Sequence, residues 1–299
     1  MMQFKLLLKR NIKLFFKDKG MFFTSLITPM ILLVLYATFL GNVYKDSFLS
    51  GLPEGVAISD KLIDGLVGGQ LISSILAVSC VTVAFCSNML MVQDKANGSI
   101  RDFTISPIKP SIMALAYYFA SLISTLIICY SATAACLIYV GIVGWYMSFI
   151  DILLLLIDVF ILVMFGTALS SVINFFLSSQ GQISAVGSII SSVYGFICGA
   201  YMPISQFSKG LQNTLSFLPG TYGTSLVRNH SMQGVFDAMK DEQFPEEVIN
   251  GFKDIVDCNI YIFDESVSIP VMYVVLISTV VLLIIGYIFL NVFKSKKSI

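Results

Sequence analysis

Histidine and tryptophan each occur once in this chain of 299 residues, and charged residues make up only 12% of it. Each shortage excludes a class of chemistry. One histidine leaves no His/Cys/carboxylate group at metal-ligand spacing, so no metal site is expected. That histidine, His230, lies outside the apolar stretches, so no span can hold the Ser–His pair of a membrane protease. It reads instead as an isolated surface residue. The phosphate-cradling pattern Gly-x-x-x-x-Gly-Lys-Ser/Thr is missing, and with it an ATPase of that kind within the chain. No catalytic residue, bound cofactor or nucleic-acid partner is expected.

The charge content is about half that of an ordinary soluble domain, and 57% of residues are hydrophobic, so the bulk of the chain belongs in lipid. Six apolar stretches stand out: Met21–Leu40, Leu66–Val92, Ile112–Val140, Ile150–Leu177, Ile183–Met202 and Ile269–Phe293. Each has the roughly 20 residues that cross a bilayer. The 18 basic and 18 acidic residues cancel in sum but are segregated along the chain. Lys5, Lys9, Arg10, Lys13, Lys17 and Lys19 precede the first stretch, and Lys294, Lys296 and Lys297 follow the last. The segment Pro203–Ser268 carries Asp237, Asp241, Glu242, Glu246, Glu247, Asp254, Asp257, Asp264 and Glu265 against Lys209, Arg228, Lys240 and Lys253. Excess basic charge marks cytoplasmic segments. The expected fold is therefore an all-α membrane protein with six transmembrane helices, both termini cytoplasmic and residues 203–268 extracellular, in a single membrane domain over 1–299.

Cys80, Cys86, Cys129, Cys136 and Cys198 fall inside apolar stretches, where a thiol acts as a small hydrophobe. Cys258 stands alone outside without an intramolecular partner, and an unpaired outer thiol could link two protomers. The Met21–Leu40 run exceeds the apolar core of a signal peptide, and Gly41-Asn42-Val43 offers no clear cleavage site, so it is read as a retained span.

Residues 1–20 place Lys5, Lys9, Lys13 and Lys17 at four-residue spacing, with Phe4, Leu7, Leu8, Ile12, Phe15 and Phe16 largely on other faces. This pattern predicts an amphipathic helix in the cytoplasmic interface, its apolar side in acyl chains. Gly41–Gly65, with Gly51, Pro53 and Gly55, reads as a modest outer connection. Trp145 and Tyr146 are expected at the headgroup level. The uncharged Ser178–Gln182 turn predicts a tight hairpin. In the long acidic segment, residues 204–229 read as short helices dipping into the outer surface, and the rest as a cap of one or two helices.

The inner loop Gln93–Pro110, QDKANGSIRDFTISPIKP, holds a short helix-compatible stretch around Ile100–Thr104, bracketed by Gly98 and by Pro107 and Pro110. Either it is a solvated turn or it docks a soluble partner. Gly98-Ser99, Arg101-Asp102-Phe103 and Ser106-Pro107 after the second span, together with Leu218-Pro219-Gly220-Thr221-Tyr222 and Leu226-Val227-Arg228 after the fifth, resemble the motifs of the integral-membrane permeases of type-2 ABC exporters. The resemblance covers essentially the whole chain. It departs at Asp94, where the family frequently has Glu.

The resemblance implies a permease subunit that forms an export path for an amphipathic cargo such as a peptide, drug or lipid-like compound. It implies a second permease copy or a related permease as partner, and a separate ABC ATPase subunit that brings ATP and Mg. The implied location is a bacterial plasma membrane. The 93–110 loop becomes the coupling element, with Asp94, Lys95, Arg101, Asp102 and Phe103 facing the ATPase. Pro219, Tyr222 and Arg228 become an outer element. Gly187, Ser191, Gly195 and Gly199 let two helix backbones approach closely. They line either the pathway and protomer interface or a contact within one protomer.

Asp158 stands about two turns, roughly 10 Å, from Asp151 in the fourth span. A carboxylate there needs water, a partner or a proton. It either lines a vestibule for cationic cargo or bonds a Ser, Thr or Tyr of a neighbouring helix. The competing functions are export of a lipid-linked polysaccharide, ion-coupled secondary transport, and a membrane sensor or immunity protein.

Overall fold

The computed structural model describes residues 2–52, 58–105, 108–263 and 265–297. Pro53, Gly55, Ser106, Pro107 and Asp264 lie outside the described residues, as does the side chain of Arg101. Helix α1 (Met2–Lys17) ends at Asp18, whose Oδ1 accepts from the Met21 N–H at 3.1 Å and so caps α2 (Lys19–Leu35). The chain then runs through a π turn, Tyr36–Leu40, into α3 (Gly41–Ser50), making one helical unit of 32 residues, Lys19–Ser50. The expected loop therefore begins a full helix later than Gly41. Tyr44 and Phe48, four apart, explain the extension: Tyr44 stacks on Tyr36 at 5.7 Å between centroids, and Phe48 meets Phe252 edge-on at the same distance.

Helix α4 (Asp60–Ala96) has 37 residues, about 55 Å at the usual rise, and forms the centre of the bundle. Helices α6 (Pro110–Val143), α7 (Phe149–Phe176) and α8 (Gln180–Ile197) pack on it, and α12 (Ile269–Lys297) packs on α7. Close approach depends on small residues: a Cβ on Gly166 of α7 would stand 2.7 Å from the Cys80 carbonyl oxygen of α4. Ser148 with Asp151 and Ser179 with Gln182 form capping boxes that start α7 and α8. The three-residue turn before α8 is short as expected, yet α8 leans on α4 rather than forming a hairpin with α7.

Among the described residues five helical units are long and apolar enough to cross a membrane: Lys19–Ser50, Asp60–Ala96, Pro110–Val143, Phe149–Phe176 and Ile269–Lys294. The expected fifth span, Ile183–Met202, falls short of them. Gly199, at φ +75°, turns the chain, and the Ala200 and Tyr201 N–H groups both bond back to the Gly195 carbonyl. The helix ends at Ile197 and serines and glutamines dilute its apolarity.

The acidic segment departs most from expectation. After a 3-10 turn (Ile204–Gln206) and α9 (Lys209–Ser216) comes α10 (Pro219–Asp241), a single helix of 23 residues. Every residue from Gly220 to Met232 is buried, among α4, α7 and α12. Helix α11 (Glu246–Ile255) and a two-stranded hairpin, β1 (Tyr261–Ile262) with β2 (Glu265–Ser266), complete the cap. Thus residues 219–229 do not dip shallowly; they begin a helix inside the bundle.

Helix α1 lies against α6. Leu7, Asn11 and Phe15 are its buried line, so that face meets protein rather than acyl chains, while Lys5, Lys9, Lys13 and Lys17 are exposed. The α1 residues, the 93–105 segment, the α7–α8 turn and the end of α12 gather at one end of the bundle, here called the basic end. The 3-10 turn, α9, α11 and the β-hairpin gather at the other, the acidic end, where the aromatic Phe48–Phe252 contact joins them to α3.

Candidate functional site

At the basic end, Gly98 at φ +78° stops α4 and lets α5 (Ser99–Ile105) start in a new direction. The charges expected to face a soluble partner divide into two groups. Asp94 is buried: Arg10 of α1 holds it through two hydrogen bonds, at 2.5 and 2.9 Å, and the Tyr117 hydroxyl of α6 donates to it at 2.6 Å. Lys95 donates to the carbonyls of Asn174, Phe175 and Leu177 at 2.9, 2.7 and 3.1 Å, satisfying acceptors at the end of α7. Both residues are joints inside the molecule, which corrects the expectation that they face outward. Asp102 is exposed on α5, and the Phe103 ring lies 5.1 Å from the Arg10 guanidinium. The joint thus runs from α5 through Arg10 into α4 and α6.

A groove of about 930 Å³ runs between α2 and α8 over α4. Ile27, Ile31 and Leu35 form an apolar wall, Ser184, Ser188 and Ser191 line the opposite one, and Cys86 and Met89 lie along α4. Gly187 and Ser191 border this groove, whereas Gly195 and Gly199 serve the turn behind it. A Cβ on Gly195 would meet the Tyr201 ring at 2.3 Å, so the close approach at Gly195 is to the chain's own turn rather than to another helix. The end of the groove is tied down by Tyr36, which donates to Ser74 at 2.7 Å, and Ser74, which donates to the Ala200 carbonyl at 2.8 Å.

Towards the acidic end, α10 carries a buried arginine and the chain's one histidine. The Arg228 guanidinium donates to the Gly199 carbonyl at 2.9 Å, reaches Ser73 Oγ at 3.4 Å and lies 3.6 Å from Asp257. Asp257 also accepts from the backbone N–H groups of Ile204 and Ser205 at 2.5 and 3.3 Å. Burial pushes the Asp257 carboxyl above the usual carboxylate range, against the pull of Arg228 and those two N–H donors. Pro219 opens the helix at its first turn and Tyr222 is buried one turn in. The three expected outer-element residues therefore share one helix, and that helix is internal.

His230 is not an isolated surface residue. Its Nδ1 lies 2.5 Å from Asp158 Oδ2, and Tyr273 of α12 donates to the other oxygen of the same carboxylate. Asp158 is 1% exposed. Of the two alternatives left open for it, the hydrogen bond to a neighbouring tyrosine is present, but the histidine partner was missed. Cys258 is also buried, and its carbonyl accepts from Ser225 and Asn229 of α10 at 2.8 and 2.7 Å, so it is not placed to link protomers.

The family model described as ABC-2 type transporter matches residues 2–230. The chain belongs to that family. The match takes in α1, the α5 turn, the α2–α8 groove and the first half of α10, and it ends at His230. This ABC-2 protein is a multi-pass membrane subunit of an ABC transporter, a permease rather than a nucleotide-binding chain. Comparison with curated proteins found no match to this permease.

Several of these partners carried a faint signal. Arg10 breaks the four-residue lysine register of α1 and is the basic residue that turns inward. Tyr273 is a tyrosine in the first turns of a largely apolar span. Asp257 had no distinguishing mark among nine acids of its segment.

Proposed function

We propose that this chain is the permease of an ATP-driven exporter. Two copies, or one copy with a related permease, assemble in a bacterial plasma membrane. Separate ATPase subunits, which supply ATP and Mg, dock at the basic end. Six helices, counting α8, cross the bilayer with both termini in the cytoplasm, and the acidic end faces out. The cargo is amphipathic.

The observation that carries this reading is the double use of α4. Met89 and Cys86 line the groove, and Asp94, about 8 Å further along the same helix, holds the Arg10–Phe103 joint beneath α5. A displacement of α5 by a closing ATPase passes into α4 and α6 through that half-buried ion pair, which is stiff because both partners are also fixed from other elements. The groove wall of α2 is apolar and that of α8 is rich in hydroxyls, a combination suited to a cargo with one greasy and one polar side.

The test is copurification with its ATPase, followed by transport in proteoliposomes. Arg101→Asp with Asp102→Arg and Phe103→Ala is expected to leave membrane abundance unchanged while abolishing transport and cargo-stimulated ATP hydrolysis. Full transport by that variant at normal abundance overturns the coupling role of α5. Transport of a lipid-linked polysaccharide in place of small amphipathic compounds would overturn the cargo assignment and leave the exporter intact.

A further inference from the structure

Arg228 and His230 are two residues apart on α10, about 200° around the helix, and so reach out on opposite sides. Arg228 fastens α10 to α4, to the turn after α8 and to Asp257. His230 fastens it to Asp158 of α7, which Tyr273 ties in turn to α12. Arginine keeps its charge across physiological pH, whereas histidine is the side chain type that most readily gains or loses a proton near neutrality. The helix is thus held by one permanent and one titratable attachment. The His230 side chain is 10% exposed against 1% for Asp158, so the histidine is the member of the pair that a proton can reach.

We propose that Asp158, His230 and Tyr273 form a proton-binding latch that holds α10 in the bundle on the α7–α12 side. With His230 protonated and Asp158 ionised, Nδ1–H donates to a full negative charge and Tyr273 donates to the same carboxylate. When His230 releases its proton to water, the neutral ring can still donate Nδ1–H, but the buried carboxylate loses its counter-charge and the attachment weakens. When Asp158 gains a proton at low pH, the attraction is lost from the other side. The latch is therefore strongest in a window bounded below by protonation of Asp158 and above by deprotonation of His230. The neighbouring groups leave this dependence to the pair. α4 presents the Gly69 carbonyl and Ser73 hydroxyl to this stretch of α10, α12 presents Tyr273, and α11 presents Lys253 a turn and more away, over Phe236. α9 meets α10 earlier, where Thr221 bonds the Leu215 carbonyl, and Arg228 is engaged on the far side.

The chain has one histidine, so ¹⁵N-histidine labelling of the full-length permease in nanodiscs gives a titration that needs no assignment. His230 is expected to keep its proton to a pH at least about one unit higher in the parent than in Asp158→Asn, a tenfold difference in proton affinity. Amide exchange in Pro219–Asp241, corrected for its intrinsic pH dependence, is expected to lose about tenfold in protection as His230 deprotonates. The amides of Ile204 and Ser205, held by Asp257, are expected not to follow. An identical His230 titration in parent and Asp158→Asn overturns the proposal, as does α10 protection that is constant with pH. Should Asp158→Asn fail to assemble, His230→Gln decides: its α10 protection must be independent of pH, and a fall like the parent's overturns the latch. The experiment needs neither cargo nor ATPase, so its failure leaves the permease reading standing.

Discussion

Helices α4 and α10 lie side by side at the centre of the same bundle and are buried to a similar degree, yet apolar side chains dominate the buried part of α4 while polar and apolar ones share that of α10 about equally. α4 presents long apolar side chains, with Leu62, Leu66, Leu71, Ile72 and Leu76 fully enclosed. α10 presents Thr221, Thr224, Ser225, Arg228, Asn229, His230 and Ser231 to an equally closed interior. The first helix enters by removing apolar surface from water. The second enters because its polar groups find partners: Ser225 and Asn229 on the Cys258 carbonyl, Ser231 on the Gly69 carbonyl, Arg228 and His230 on carboxylates. Apolar burial tolerates many substitutions of similar volume, whereas a matched polar interior depends on each partner being present.

The largest effect is expected where α10 touches backbone. A Cβ on Gly234 would stand 2.0 Å from the Tyr146 carbonyl oxygen and 2.6 Å from its carbon, neither of which is free to swing away. Gly234→Val should abolish recovery of a monodisperse protein in size-exclusion chromatography; normal recovery would mean that α10 is not seated as described.

Arg228→Met should come next. It leaves Asp257 buried beside two N–H donors without its cation, a loss of about 3–5 kcal/mol. Thermal unfolding in detergent checks this, and adding Asp257→Asn should restore part of the loss. If the double variant is no better than the single one, the pair does not act as a unit.

Leu76→Ala in α4 removes a fully enclosed side chain, at about 3 kcal/mol. Leu282→Ala on the exposed face of α12 should change stability by less than about 0.5 kcal/mol. A loss from Arg228→Met no larger than that from Leu282→Ala would erase the contrast between the two helices.

The smallest effect is expected at Cys258. Burial pushes its thiol up to about 12, so at pH 8 it stays protonated and enclosed. Peptide mapping after maleimide treatment should find Cys258 unmodified in folded protein and modified after denaturation. Reactivity would begin only as the pH rises towards that value.

The apolar spans were legible because each carries its own signal. Lys19–Ser50, Asp60–Ala96, Pro110–Val143, Phe149–Phe176 and Ile269–Lys294 contain the runs read from composition, and their ends differ by the caps and turns that continue them. α8 was legible as a helix, but its length was set by Gly199 and the bonds back to Gly195. The coupling residues were legible as charges near a turn. That Asp94 and Lys95 face inward while Asp102 faces outward depends on α1, α6 and the end of α7 arriving beside them. His230 and Asp158 are 72 residues apart, and no local pattern links them.

Hydropathy and charge segregation by themselves determined that this chain lives in a membrane, which runs lie in its apolar helices, and that its basic and acidic segments sit apart, because those properties belong to consecutive residues and to the surrounding solvent. Tertiary structure decided that the polar helix Pro219–Asp241 enters the bundle, that Asp158 meets His230 and Tyr273, and that Asp94 locks Arg10. The reason is physical. A polar side chain is at home in water or in a protein interior that satisfies its hydrogen bonds, and which of the two it occupies is settled by partners distant in the chain.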